Sequence, residues 1–213
     1  MSTTTAPRTD GDRFVLRDVS WERYVDLRDD PTQLRVKMTY FRGVLELMSP
    51  SGPPETIKRV LEQLIEVWCD VHDIPYKAFG STTYRREDQA AGLEPDSCYY
   101  IQGVEAIGER VDLDLMVDPP PDLAIEVDIS SRSSRRLPIY AALGVPEVWR
   151  TNGEWLHMYQ LIGGSYLEIE ESESLPGLMM CELVDFLRRS NHTHNLQFTR
   201  EFRTWAASQK PST

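Results

Sequence analysis

Eight residues, Pro121-Asp122-Leu123-Ala124-Ile125-Glu126-Val127-Asp128, constrain what this chain can fold into more than any other stretch. Leu123, Ile125, Val127 and then Ile129 alternate with Ala124, Glu126 and Asp128. A period of two is the pattern of a β-strand. It sets two carboxylates on the second face, one pleat apart at roughly 6–7 Å, close enough to share a divalent cation. A plainer reading leaves that face wet and its acids solvated. Two more acids bear on the choice: Asp96, in Glu94-Pro95-Asp96, and Glu46, between Val44 and Met48 on one face of another expected strand.

The segments around this strand repeat the alternation of α and β. A short helix is expected over 20–27, with Ser20 as its N-cap. Strands over 35–41 and 44–48 form a hairpin through Arg42-Gly43. After the break at Ser49–Pro54, apolar residues Ile57, Val60, Leu61, Leu64, Ile65, Trp68 and Val71 fall on one helical face. Short strands follow over 76–79 and 82–86, then a loop over 87–92 and an aromatic extended segment over 97–101. An excursion over 102–118 leads into the central strand. Beyond it, a polar turn over 130–134, a helix over 137–143 stopped by Gly144 and a strand over 145–150 complete a βαβ unit, whose strands run parallel. A hairpin over 154–161 and 165–170 turns at Gly163-Gly164, and helices over 181–189 and 199–207 close the chain.

Composition narrows the function classes. The chain has 213 residues, 40% hydrophobic and 27% charged, enough for one domain over 13–210 behind a loose polar stretch at 1–12. No apolar run approaches a membrane span, and the first residues lack the apolar core of a signal peptide. Cys69, Cys98 and Cys181 show no paired spacing, so a reducing, cytoplasmic location is the default. A net charge of −11 argues against a general nucleic-acid coat, because phosphate contacts need Lys and Arg. It leaves room for an enzyme that meets DNA over a small basic patch above a metal.

Acids on adjacent strands of a mixed sheet can converge on Mg²⁺, which takes oxygen ligands and keeps several waters, and such a site can turn water against a phosphodiester. Other candidates carry less. His192 and His194 sit in a polar stretch read as a surface loop. His157 reads as structural, His72 as the end of a helix, Asp122 as a turn or cap, and Trp68 and Trp149 as core. No Gly-rich phosphate loop or Ser/His/Asp arrangement is present.

Four stretches, taken together, resemble the Uma-two family of bacterial restriction-endonuclease-like proteins, a branch of the PD-(D/E)XK nuclease superfamily. They are Gly43-Val44-Leu45-Glu46-Leu47-Met48-Ser49-Pro50, Gly92-Leu93-Glu94-Pro95-Asp96, Pro121-Asp122-Leu123-Ala124-Ile125-Glu126-Val127, and Tyr140-Ala141-Ala142-Leu143-Gly144-Val145-Pro146-Glu147-Val148-Trp149. The resemblance runs from about Leu34 to Gln160. It implies an α/β fold with a restriction-endonuclease-like αβββαβ core and a mixed sheet, flanked by an N-terminal hairpin and by a C-terminal hairpin plus helices. Carried onto this chain, Asp96 is the motif aspartate and Glu126 the second acid, both ligands of Mg²⁺ (or Mn²⁺), with Glu46 an additional acid from the hairpin.

The chain departs from the superfamily at the third motif position, where Asp128 stands in place of Lys. In this family a basic residue is often supplied by the following helix, and Arg136 occupies that place. With a pKa above about 12, Arg136 can orient or stabilise but not act as a base. Arg86 and Lys58 are other sources of positive charge, and Asp128 is a further ligand or a rim residue. The implied activity is Mg²⁺-dependent hydrolysis of DNA by a homodimer, the dimer also covering an otherwise open sheet edge. Two alternatives remain open: a catalytically weakened nuclease fold that binds nucleic acid or protein, and a metal-dependent hydrolase of a small phosphoester.

Overall fold

Leu123–Val127 does form a strand, β8, but all five of its residues are buried, so neither face is the wet one that alternation suggested. The computed structural model describes residues 13–32, 36–48, 54–127, 136–190 and 193–209. The reason for the burial is a second sheet. Strands β1 (Arg13–Leu16), β2 (Lys37–Phe41), β3 (Val44–Met48), β5 (Tyr84–Arg86) and β6 (Ala91–Leu93) form a five-stranded sheet in the order β1-β3-β2-β6-β5. With β4 (Lys77–Phe79), β7 (Ser97–Tyr100), β9 (Glu147–Thr151), β10 (Leu156–Ile162) and β11 (Ser165–Ile169), β8 forms a six-stranded sheet in the order β11-β10-β9-β8-β7-β4.

The six-stranded sheet is mixed. β8 runs antiparallel to β7 and parallel to β9, and α4 (Leu137–Leu143) connects the parallel pair, as the βαβ reading expects. One face packs on α2 (Pro54–Val71), α5 (Met180–Ser190) and α6 (Asn195–Ser208), around Leu61, Leu64, Ile65, Trp68, Trp149, Phe186 and Phe202. Each such side chain contributes about 1.5–3 kcal/mol when fully withdrawn from water. The other face meets α4 and the edge of the five-stranded sheet, around Tyr84, Leu93, Tyr100, Ala124, Tyr140, Leu143 and Val148. Helix α1 (Trp21–Asp29) covers the five-stranded sheet, stacking Tyr24 on Tyr40 at 4.8 Å, and Ser20 caps it as expected.

Several elements differ from the sequence reading. The β2–β3 hairpin belongs to a five-stranded sheet together with β1, β5 and β6, a second sheet that the sequence reading did not include. The stretch 87–92 is not a loop throughout: a 3-10 turn over Glu87–Gln89 leads into β6. A β-carbon at Gly92 would come 2.5 Å from the Tyr24 hydroxyl, so this strand needs glycine for close packing and carries little strand signal. The excursion over 102–118 holds a one-turn helix, α3 (Val104–Ile107). α6 starts four residues early because His194 caps it, accepting from the Gln197 N–H at 3.4 Å. Asp128, the turn over 130–134 and His192 lie outside the described residues. Among the described residues no helix is long and apolar enough to cross a membrane.

Candidate active site

The central acids meet where β7 begins. β7 and β8 pair Ser97 with Ile125, and one further step of that register sets Asp96 across from Glu126. The turn is locked by backbone bonds: the Asp96 N–H donates to Ile125 O at 3.1 Å, and the Val127 N–H donates to Asp96 Oδ2 at 2.7 Å. Glu126 is 3% exposed. Both of its carboxylate oxygens accept from one terminal guanidinium nitrogen of Arg136, at 2.6 and 2.5 Å, and Oε1 also accepts from the hydroxyl of Tyr140. Arg136 is the N-cap residue of α4 and Tyr140 lies one turn on, so both point at the same acid.

A second cation comes from the other sheet. Lys37, on β2, pairs with Asp96 Oδ1. Arg136 also donates from its other terminal nitrogen to Thr39 Oγ1 at 2.8 Å and to Glu94 O at 3.3 Å, which ties α4 to β2 and to the strand-end before Asp96. Thr39 lies opposite Glu46 in the β2–β3 register, so Glu46, Thr39 and Lys37 share one sheet face. Glu46 Oε2 takes Arg13 at 2.5 Å. Asp96 and Glu126 therefore lie side by side and Glu46 lies on the β2–β3 face that carries Lys37 and Thr39, but among the described residues no three acidic, His or Cys side chains form a group able to hold a metal.

Electrostatics follow from burial. Desolvation pushes the Glu126 carboxyl up; Arg136 pulls it back, Asp96 adds to the rise, and Lys37 and Tyr140 oppose it. Burial acts against the Arg136 charge, but Glu126, Tyr140 and Asp96 outweigh it and hold the guanidinium protonated. Burial, then the neighbouring Glu126 charge, raises Tyr140 well above an ordinary phenol. Two carboxylates, Asp96 and Glu126, and two cations, Lys37 and Arg136, thus form a compact, self-compensating quartet.

The other expected candidates lie elsewhere. Arg86 pairs with Asp88 at 2.5 Å, and Lys58 with Glu55 at 3.4 Å along its own helix; neither bonds Asp96 or Glu126. Asp122 serves as expected, accepting from the N–H groups of Ile101 and Gly103 at 2.7 and 2.9 Å. His72 packs its ring against Trp68 at 4.3 Å, and His157 pairs with Glu168 at 2.6 Å on the exposed side of the β10–β11 hairpin. Glu147, fully buried, fixes the loop before α5 through Ser174 N–H at 2.7 Å.

Sequence reasoning passed over Lys37, Thr39 and Tyr140. Tyr140 had a signal, because a spacing of four from Arg136 puts both on one helical side. Lys37 had none: its partner lies 59 residues away in a different sheet.

The comparisons with known proteins agree with this architecture. No curated protein matches the chain. The crystal structure of a putative nuclease of the DUF820 group from Anabaena variabilis superposes with a TM-score of 0.55 at 15% identity, covering 79% of this chain and 99% of that one, which establishes a shared fold. The family model Uma2, described as putative restriction endonuclease, matches residues 21–189, a span that takes in β2, Asp96, β8 and α4, and the chain belongs to that family.

Proposed function

We propose that this protein is a Mg²⁺-dependent endonuclease that hydrolyses DNA phosphodiester bonds at the quartet around Asp96 and Glu126. The observation that carries the reading is the pairing of two acids across adjacent strands, each backed by its own cation, in a family of nuclease type. The donor set suits Mg²⁺ or Mn²⁺: the ligands are hard carboxylate oxygens, and Mg²⁺ is commonly held by one or two carboxylates plus substrate phosphates. Asp96 and Glu126 would hold the ion, and Glu46 is the additional acid on the facing strand. When bound, such an ion lowers the pKa of water and stabilises charge on the non-bridging oxygens. Tyr140 and Arg136 fix the Glu126 carboxylate, and the Val127 N–H fixes that of Asp96. In the hydrolysis a water oxygen bonds to phosphorus, one P–O ester bond breaks, the water gives up a proton and the departing oxygen gains one.

Plasmid nicking with Mg²⁺ or Mn²⁺ tests this, comparing wild type with Asp96→Ala and Glu126→Ala. Wild type should nick and both variants should lose activity by at least about 100-fold; equal background in all three removes the nuclease reading. A homodimer closing an open sheet edge belongs to the same reading, and light scattering at a monomer mass would remove that part.

A second reading, a nuclease fold that binds without turnover, is favoured by one observation: both Glu126 oxygens already accept from Arg136. Calorimetric titration separates the two, since a binder of this kind takes up DNA without needing Mn²⁺.

A further inference from the structure

We infer that Lys37, and not Arg136, presents the positive charge that meets the scissile phosphate, an inference that rests on the nuclease reading above. The quartet has a closed half and an open half. In the closed half the side chains of Arg136 and Glu126 are 11% and 4% exposed; in the open half those of Lys37 and Asp96 are 18% and 19% exposed. A phosphate arriving from solvent reaches the open half first.

The donor inventory points the same way. Both terminal nitrogens of Arg136 are engaged inside the protein, one on Glu126 Oε1 and Oε2 and the other on Thr39 Oγ1 and Glu94 O. Lys37 has three N–H donors and, among the described residues, spends one, on Asp96. Two remain for the non-bridging oxygens of a phosphodiester, where negative charge grows as water adds to phosphorus. A fixed ammonium beside those oxygens lowers the barrier by stabilising that charge in place. Arg136 is then a positioning residue that holds Glu126. The charge the superfamily draws from the position held here by Asp128 comes instead from the neighbouring sheet, on β2.

Lys37→Gln and Lys37→Arg, compared with wild type and Asp96→Ala, test the assignment through two readouts: plasmid nicking and calorimetric Mn²⁺ titration. Lys37→Gln should nick at least about 100-fold more slowly while binding Mn²⁺ as tightly as wild type or more so, because a cation leaves Asp96. Lys37→Arg, which keeps the charge and the ion pair, should recover part of the rate. Nicking by Lys37→Gln at the wild-type rate overturns the inference and leaves the nuclease reading intact. Loss of Mn²⁺ uptake matching Asp96→Ala also overturns it, since Lys37 would then be a prop for Asp96. A wild type that binds Mn²⁺ but never nicks overturns both.

Discussion

At the scale of single residues, Arg136 and Glu126 decide what the site costs and what it can do. A carboxylate at 3% exposure survives because one guanidinium nitrogen, close to both of its oxygens, and a phenol answer it. Taking away one partner of a buried pair leaves an uncompensated charge, worth about 3–5 kcal/mol, whereas exposed pairs such as Arg85–Asp29 contribute about 0–1 kcal/mol. Arg136→Ala should therefore lower stability by about 3–5 kcal/mol near neutral pH. The sign of its pH dependence follows from Glu126, whose folded carboxyl already lies above the ordinary range through burial. The folded protein holds that proton more firmly than the unfolded chain, so this group's share of stability is present at low pH and lost as pH climbs through the raised value. Without Arg136 the carboxyl rises further, and the loss in Arg136→Ala should shrink on acidification. Urea unfolding at pH 5 and pH 8 measures this; an equal loss at both would show that Glu126 does not lean on the Arg136 charge.

At the scale of elements, the site depends on where α4 begins and ends. Pro138 pre-sets the first turn, with Arg136 just before it, and Gly144 ends the helix at φ 82°, its N–H donating back to Tyr140 O and Ala141 O. A β-carbon at Gly144 would meet Pro120 Cγ at 3.9 Å, an ordinary contact. The cost of Gly144→Ala is thus conformational alone, about 1 kcal/mol, and thermal unfolding should register it. The sequence announced this helix, because proline near its start and glycine past its end are local signals. It also announced the β2–β3 hairpin: Arg42 and Gly43 both take positive φ, as a two-residue hairpin turn requires. β6 gave no such notice. Ala91-Gly92-Leu93 is short and glycine-centred, and it is a strand because Tyr40–Phe41 and Tyr84–Arg86 pair with it on either side.

At the scale of the whole molecule, the quartet is the polar part of the seam between two sheets, beside the apolar contact around Tyr84 and Leu93. Lys37 and Thr39 reach from the five-stranded sheet to Asp96 and to Arg136, which belong to the six-stranded one and its crossover helix. The helical core on the far face of the six-stranded sheet takes no part in this seam. In Arg136→Ala, hydrogen exchange should therefore quicken first in β2 and β3 and leave β9 and β10 protected, since local opening follows the contacts that are lost. Uniform acceleration across both sheets would mean that they open as one body and that the seam is not a separate joint.

Much of this protein was settled by short-range chemistry that can be read along the chain. Alternation gave β8 and Glu126 within it, helical periodicity gave α2, and the order of strand, helix and strand gave the parallel pair β8–β9. The acids Asp96 and Glu126 could be named from the residues around them. What needed the folded molecule was every partnership between residues distant in sequence: the second sheet that buries Glu126, the lysine that crosses from β2 to Asp96, and the face that Glu46 shares with Thr39. Periodicity states which side of an element is apolar. It does not state what will be laid against that side, because that choice is made by shape and charge when the sheets pack.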